Sequence, residues 1–179
     1  MGENKALLDF QGQSLISIMI QKMTSVFDEV VIVSNREDYG DLDCQVISDQ
    51  IMNAGPAGGI HSVLNHTTTE YNFIISCDMP FVTKAGIEFM INQSKNYDIS
   101  IPQKNGFIEP LFGVYSKNCR NKWEELIRSN HFKLSDFLPH FKTNMISVDN
   151  NKIFGSDFFM NVNTKTDYLT ALKMEKHDH

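Results

Sequence analysis

Long hydrophobic runs are missing from this sequence. No apolar stretch in its 179 residues approaches the roughly 20 needed to cross a bilayer as a helix, so a helical membrane protein is excluded. Basic charge is not in excess: 16 Lys and Arg stand against 22 Asp and Glu, for a net charge of −6. General nucleic-acid affinity would need a basic face. Cysteine is scarce, and Cys44, Cys77 and Cys119 are widely spaced and form no CxxC pair or zinc pattern. They read as small buried residues of a protein in a reducing cytoplasm. The start, Met1-Gly2-Glu3-Asn4-Lys5, shows no signal peptide. The six histidines are scattered and make no Ser/His/Asp or Cys/His arrangement. His177-Asp178-His179 reads as a frayed end, with no third metal ligand near it in sequence.

What is present is the composition of a soluble globular protein, 41% hydrophobic with 13 Phe and 9 Met. The length fits one domain over residues 1–179. Strand and helix patterns alternate along it. Ser14 caps a helix carrying Leu15, Ile16, Ile18, Met19, Met23 and Val26 at helical spacing. Residues 29–34 and 44–48 read as short strands, 50–59 as a glycine-rich loop, and 60–66 as a helix. Phe73-Ile74-Ile75-Ser76-Cys77 reads as a buried strand of a parallel sheet. Thr83 caps the next helix, and Asp98–Ile101 is a strand stopped by Pro102. A turn at Lys104-Asn105-Gly106 leads into a strand over 108–115, which makes one antiparallel strand. Helices around Trp123 and over 134–141, strands over 145–148 and 158–162, and a last helix over 165–176 complete the chain. The alternation predicts a three-layer αβα domain around a mostly parallel mixed sheet.

Four local signals carry chemistry. Lys5, three residues after Gly2 and just before an apolar segment, could set an ammonium against phosphates. Asp49, at a strand end, is followed by Gly55-Pro56-Ala57-Gly58-Gly59, whose glycines let backbone N–H groups approach an anion or a base. Asp78 stands where the strand 73–77 ends and Met79-Pro80 begins the turn. Open α/β sheets bind ligands at that edge, and a carboxylate there commonly holds Mg²⁺ against a nucleotide phosphate. Asn161 and Asn163, two apart on a strand, point to one face. Each signal also has an ordinary reading, as a surface lysine, a flexible connection, a turn aspartate or turn asparagines.

In order, MGENKALL, VVIVSNR, ISDQIMNAGPAGGIHSVL, FIISCDMPFV, EPLFGVY and FMNVNTKTDY resemble the successive blocks of the molybdenum cofactor guanylyltransferase family. That family is a branch of the sugar-nucleotide-type nucleotidyltransferases. One block is weakly specific; six in register are strongly so. The resemblance implies a Rossmann-like nucleotidyltransferase fold. It also implies a Mg²⁺-dependent reaction in which a phosphate of molybdopterin attacks the α-phosphorus of GTP, GMP is joined to it, and pyrophosphate leaves. Lys5 then matches the lysine that contacts the nucleotide phosphates. Asp49 matches an aspartate that contacts GTP, and Gly55, Pro56, Gly58 and Gly59 match the loop beside the nucleotide. Asp78 matches the Mg²⁺ aspartate. Asn161 and Asn163 match a late asparagine pair with Asn163 on the metal side, and Asn35 falls in the block that approaches the base. The family carries proline after the late Asn-Thr; Lys165 stands here. Implied partners are GTP, molybdopterin and transient contacts with other cofactor-assembly proteins or molybdoenzymes.

In the family an apolar strand and an LAGGxSxR loop precede the block matching Met1-Gly2. Neither is found in these residues, and no other glycine-rich loop replaces them. Three explanations compete: a start set at an internal methionine or a lost N-terminus, which are favoured together, and a chain short by nature; as written, the expectation is a sheet with its first strand missing, two unpaired edges, low stability and weak or no activity. The alternatives are a cytidylyltransferase or other nucleotidyltransferase, and a non-catalytic nucleotide- or pterin-binding protein.

Overall fold

The computed structural model describes residues 5–10, 12–36, 39 and 42–175, with Lys5 and Glu175 as backbone only. After a 3₁₀ turn at Lys5–Leu7 come β1 (Asp9–Phe10), β2 (Gln13–Ser14) and α1 (Leu15–Thr24). β3 (Val31–Val33), β4 (Gln45–Ile47), α2 (Pro56–His66), β5 (Tyr71–Ile75) and α3 (Lys84–Asn92) follow. Then come β6 (Ile99–Lys104), β7 (Phe107–Ile108), β8 (Phe112–Ser116), α4 (Arg120–Arg128), β9 (Thr143–Ser147) and α5 (Lys165–Glu175). No helix among the described residues is long and apolar enough to cross a membrane.

The three layers are those expected. On one face of the sheet, α2 and α4 bury Ile60, Leu64, Trp123 and Ile127 against Ile99, Ile101 and Tyr115. On the other, α1 and α3 bury Met19, Met23, Ile87 and Met90 with Phe112, Val148, Phe154 and Phe158. β5 shows the alternation: Phe73 and Ile75 pack with the α1/α3 cluster, Ile74 with the α2/α4 cluster. The caps hold too. The Ser14 hydroxyl accepts the Ser17 N–H, and the Thr83 hydroxyl accepts that of Gly86.

The sheet is mixed. β5, β8, β6 and β7 are neighbours in that order through antiparallel pairs, and β9 joins the other edge of β6 in parallel. β3 and β4 form a separate parallel pair. β5 is therefore bonded only to the antiparallel β8 among the described residues, and Phe73, Ile74 and Ile75 are half-buried instead of fully enclosed. Parallel pairing is scarcer than expected because β3 and β5 are not bonded to each other. Their facing edges carry no ladder bonds among the described residues.

Three expectations are corrected. β6 runs on through Pro102. The ladder to β8 ends at Ser100 and that to β7 begins at Gln103, so no antiparallel pair needs an N–H at Pro102. The turn at Asn105-Gly106 has positive φ at both residues, 50° and 82°, as a two-residue hairpin requires. The region 134–141 forms two 3₁₀ turns, Leu134–Asp136 and Leu138–His140, instead of one helix. Residues 158–162 are not a strand but a turn and an irregular segment. Phe158 and Phe159 are drawn into the aromatic cluster around Phe112, with ring centroids 5.3 and 5.5 Å away, and this aromatic packing overrides the extended pattern.

Candidate functional site

β3 and β4 are parallel with Val33 opposite Ile47. Two residues past each strand end, the same offset puts Asn35 opposite Asp49. The pair is closed by reciprocal hydrogen bonds: the Asp49 N–H donates to Asn35 Oδ1 at 2.8 Å, and Asn35 Nδ2 donates to Asp49 Oδ2 at 3.2 Å. Asn35 Nδ2 also lies 3.8 Å from Met52 Sδ. The other oxygen, Asp49 Oδ1, is buried without a hydrogen-bond partner among the described residues. Burial pushes the Asp49 carboxyl above its ordinary pKa, and the Asn35 amide partly offsets this.

The chain then turns into α2 earlier than the sequence pattern suggests. Pro56 opens the helix, so Gly58 and Gly59 lie in its first turn and not in a loop. Gly55 precedes it at φ 56° and ψ −142°, a conformation that favours glycine. No side chain caps this helix start; Pro56 has no N–H, and the Gly58 and Gly59 N–H groups donate to the Gly55 carbonyl at 3.0 and 3.3 Å, which leaves the Ala57 N–H as the first-turn donor for an anion. Asp49 Oδ1 lies 4.0 and 3.8 Å from where a Cβ would stand on Gly58 and Gly59. At Gly58 that Cβ would be 2.9 Å from the Ile51 carbonyl oxygen. Ser62 fixes the connection by accepting the Gln50 N–H at 2.9 Å and donating to the Gly58 carbonyl at 3.0 Å.

The second half of the site follows β5. Asp78 Oδ1 is buried without a hydrogen-bond partner among the described residues, and the Asp78 carbonyl accepts the Val162 N–H at 2.8 Å. This bond, and not strand alternation, brings Asn161 and Asn163 beside Asp78. Asn161 Nδ2 donates to the Phe159 carbonyl at 3.3 Å. The Asn163 and Thr164 N–H groups donate to Asp167 Oδ2, and Thr164 Oγ1 accepts the Asp167 N–H, a reciprocal cap on α5. Burial first and the Asp78 charge second push the Cys77 thiol up to about 11, which makes it a poor nucleophile at neutral pH.

β3 and β5 run the same way. Phe27, ahead of β3, lies 5.8 Å from Phe73 in β5, while Cys77, beyond β5, joins the cluster of Ile32 and Tyr39. Asn35, Asp49 and Asp78 therefore share one edge, the carboxyl ends of β3, β4 and β5. The Lys5 side chain and Gly2 lie outside the described residues. Sequence reasoning missed Glu109, whose carboxyl is pushed up by burial first and by Asp78 second. Its signal was available, since it opens the EPLFGVY block. It also missed Lys22, whose Nζ donates to the Pro80 carbonyl and to that of Val82 at 2.9 Å, tying α1 to the turn after Asp78; a lysine in a last helical turn gives no such hint.

A doubly layered α/β sheet with two acidic strand ends and a glycine-bearing helix start defines the nucleotidyltransferase class of fold. Its architecture is that of molybdopterin-guanine dinucleotide biosynthesis protein A from Archaeoglobus fulgidus. The two superpose with a TM-score of 0.84 over 98% of this chain and 92% of that one, at 23% identity. The chain belongs to the MobA-like NTP transferase domain family, whose model matches residues 1–142. It is 34% identical over 180 residues to the probable molybdenum cofactor guanylyltransferase of Pelotomaculum thermopropionicum, covering 99% of this chain and 88% of that protein. It is 36% identical over 184 residues to that of Natranaerobius thermophilus, covering 97% and 89%.

Proposed function

We propose that this chain transfers GMP from GTP to molybdopterin, releasing pyrophosphate and forming the guanine dinucleotide cofactor, and that residues 1–179 act as one nucleotidyltransferase domain. One observation carries the reading: Asp49 Oδ1 and Asp78 Oδ1 are both buried and have no hydrogen-bond partner among the described residues, and each lies past the carboxyl end of its strand. Buried carboxylate oxygens are costly unless something completes them. A guanine base or ribose beside Asp49, and a cation beside Asp78, would do so. The names of the curated relatives agree with this chemistry.

Asp78 fits Mg²⁺ by its chemistry, a hard oxygen donor whose Oδ1 has no hydrogen-bond partner among the described residues. Among the described residues no group of three or more His, Cys, Asp and Glu is placed to hold a metal. That suits Mg²⁺, which commonly takes one or two carboxylates and fills its shell with water and substrate phosphate. Asp78 would hold it, with Asn163 close by through the Val162 bond. When bound, Mg²⁺ supplies charge neutralisation at the phosphate oxygens. The chain's own residues do the rest. Asn35 holds Asp49 in place as an acceptor for the base or ribose. Gly58 and Gly59 keep the first turn of α2 open to the nucleotide, and the Ala57 N–H of that turn would face the phosphates. The Lys5 ammonium is proposed to offset developing negative charge. A phosphate nucleophile is already ionised at neutral pH, so no general base is needed. The free cysteines, Cys44, Cys77 and Cys119, support a cytoplasmic setting.

The test is direct. Purified protein with molybdopterin, Mg²⁺ and GTP is assayed for pyrophosphate release, with the guanine dinucleotide identified by mass. The expected result is Mg²⁺-dependent product with GTP preferred over CTP and UTP. Turnover of CTP in preference to GTP would replace this reading with a cytidylyltransferase.

A further inference from the structure

Among the described residues, no hydrogen bond or ion pair holds the Asp78 side chain. A carboxylate without a side-chain partner takes its direction from the backbone that carries it. That backbone is tied down at alternate residues, each to a different part of the fold. The Ser76 N–H donates to the Leu111 carbonyl at 3.0 Å, and the Asp78 carbonyl accepts the Val162 N–H at 2.8 Å. The next two ties share one donor. Lys22 Nζ, from the last turn of α1, donates to the Pro80 carbonyl and to that of Val82 at 2.9 Å.

No backbone N–H among the described residues bonds to the Pro80 or Val82 carbonyl. Met79, Pro80 and Val82 are buried, so this turn cannot swing out to find a donor in water. Without the ammonium, two main-chain acceptors lose their partner. A compact cation with three N–H groups can gather both, through charge-assisted bonds. Apolar packing also joins the two elements, since Met19 and Met23 of α1 share a cluster with Met79 and Val82. Such contacts are non-directional; they hold the turn close without fixing how it is rotated. Lys84, at the start of α3, makes a useful contrast. Its Nζ donates to the Ser25 carbonyl at the end of α1, at 3.0 Å. It ties α3 to the same end of α1 and bonds to no carbonyl of the turn.

We infer that Lys22 is a positioning residue for Asp78: its ammonium fixes the turn over residues 79–82 and thereby aims the carboxylate at its cation. The inference rests on the cation assigned to Asp78 above. Lys22 acts at one remove, through the main chain. Asn35 and Asp49, assigned to the base or ribose, belong to other segments and are held by their own bonds. Loss of Lys22 should therefore fall on the cation requirement and on turnover, and only slightly on GTP.

Lys22→Met, Lys22→Arg and Lys84→Met are compared with the parent in the full chain. Two readouts need no turnover. In Lys22→Met, amide hydrogen exchange at Val82 and Val162 quickens about tenfold or more. Mn²⁺ titrated onto the protein with GTP, followed by electron paramagnetic resonance, binds about tenfold more weakly. In the assay, the Mg²⁺ concentration for half-maximal rate rises about tenfold, while KM for GTP at saturating Mg²⁺ stays within about threefold. Lys22→Arg, whose guanidinium can donate to both carbonyls, stays within about threefold of the parent on every measure. Lys84→Met keeps parental exchange at Val162 and parental Mn²⁺ affinity. If Lys22→Met does not fold, Lys22→Gln takes its place. Unchanged exchange at Val82 and Val162, a loss of Mn²⁺ affinity matched by Lys84→Met, or a rise confined to KM for GTP would each overturn the inference. A parent that binds no Mn²⁺ with GTP would refute the cation at Asp78 itself, and the exchange pattern would then decide whether Lys22 fixes the turn.

Discussion

The Val162 N–H donates to the Asp78 carbonyl at 2.8 Å, so the main chain of a late irregular segment holds the main chain of the acidic strand end. The Asp78 carboxylate takes no part in that bond, and its Oδ1 has no hydrogen-bond partner among the described residues. Backbone placement and side-chain chemistry at Asp78 are therefore separable.

Asp78→Asn tests this separation. The backbone bond survives and a buried charge disappears, so Tm should stay within about 2–4 °C of the parent. Turnover should fall about a hundredfold or more. Pyrophosphate release and a thermal melt read both, and turnover retained within a few-fold would remove Asp78 from the reaction.

Gly86 offers a remote route to the same point. A Cβ there would overlap the Phe158 ring, and Phe158 begins the segment that leads to Val162. Gly86→Ala should cost ~1–3 kcal/mol and lower activity as well. Phe158→Leu removes the overlapping ring atoms, so the double variant should lose less than the two single losses combined, measured by urea melts in a double-mutant cycle.

Gly58 and Gly59 should respond differently to alanine. At Gly58 the new Cβ meets the Ile51 carbonyl at 2.9 Å and Ala54 Cβ at 3.1 Å, and a backbone atom does not yield cheaply; a loss of ~1–3 kcal/mol is expected. At Gly59 the nearest atoms, Asp49 Oδ1 and Val33 Cγ1, are 3.8 and 3.9 Å away. Gly59→Ala should keep or raise stability by up to about 1 kcal/mol, while a methyl beside the Asp49 carboxylate weakens GTP binding. Calorimetry with GTP distinguishes the two; equal stability for both variants would contradict the geometry.

Asp49 gives a pH signature. Its folded pKa is raised, with burial as the larger cause. The protonated form is the one favoured by the fold, so its contribution is fully present below the ordinary carboxylate pKa and is lost as pH rises through the raised value. Asp49→Asn should match the parent in acid and become the more stable protein above the window between those two pKa values. GTP affinity should fall across the range. Melts of both proteins from pH 3.5 to 7 would show it (about 4 being the ordinary value), and a stability gap that closes with rising pH would contradict it.

Where local chemistry decided the structure, the sequence was readable. Ser14, Thr83 and Thr164 bond as caps, and the strand-end positions of Asp49 and Asp78 follow from short apolar runs. The misreadings have tertiary causes. Pro102 passes through β6 because two partners hand over at that residue. Phe158 and Phe159 leave an extended path to join rings brought from β8 and from residue 154. Gly58 reads as loop by propensity, yet Pro56 starts the helix and the packing at Ile51 and Ala54 requires a residue without a Cβ. Glu109 gains its meaning only when the β7–β8 connection lies beside Asp78.

Trp123 is the single tryptophan of the chain. It is fully buried, and its Nε1–H donates to the Ala57 carbonyl at 2.9 Å. Ala57 sits between Pro56 and Gly58, at the end of α2 assigned here to the nucleotide. One indole, excited at wavelengths where the five tyrosines do not absorb, thus reports on that helix end with no second tryptophan to dilute its signal. Ligands that shift the first turn of α2 by a fraction of an ångström would alter its emission, so the protein carries its own optical gauge of nucleotide binding without any attached label.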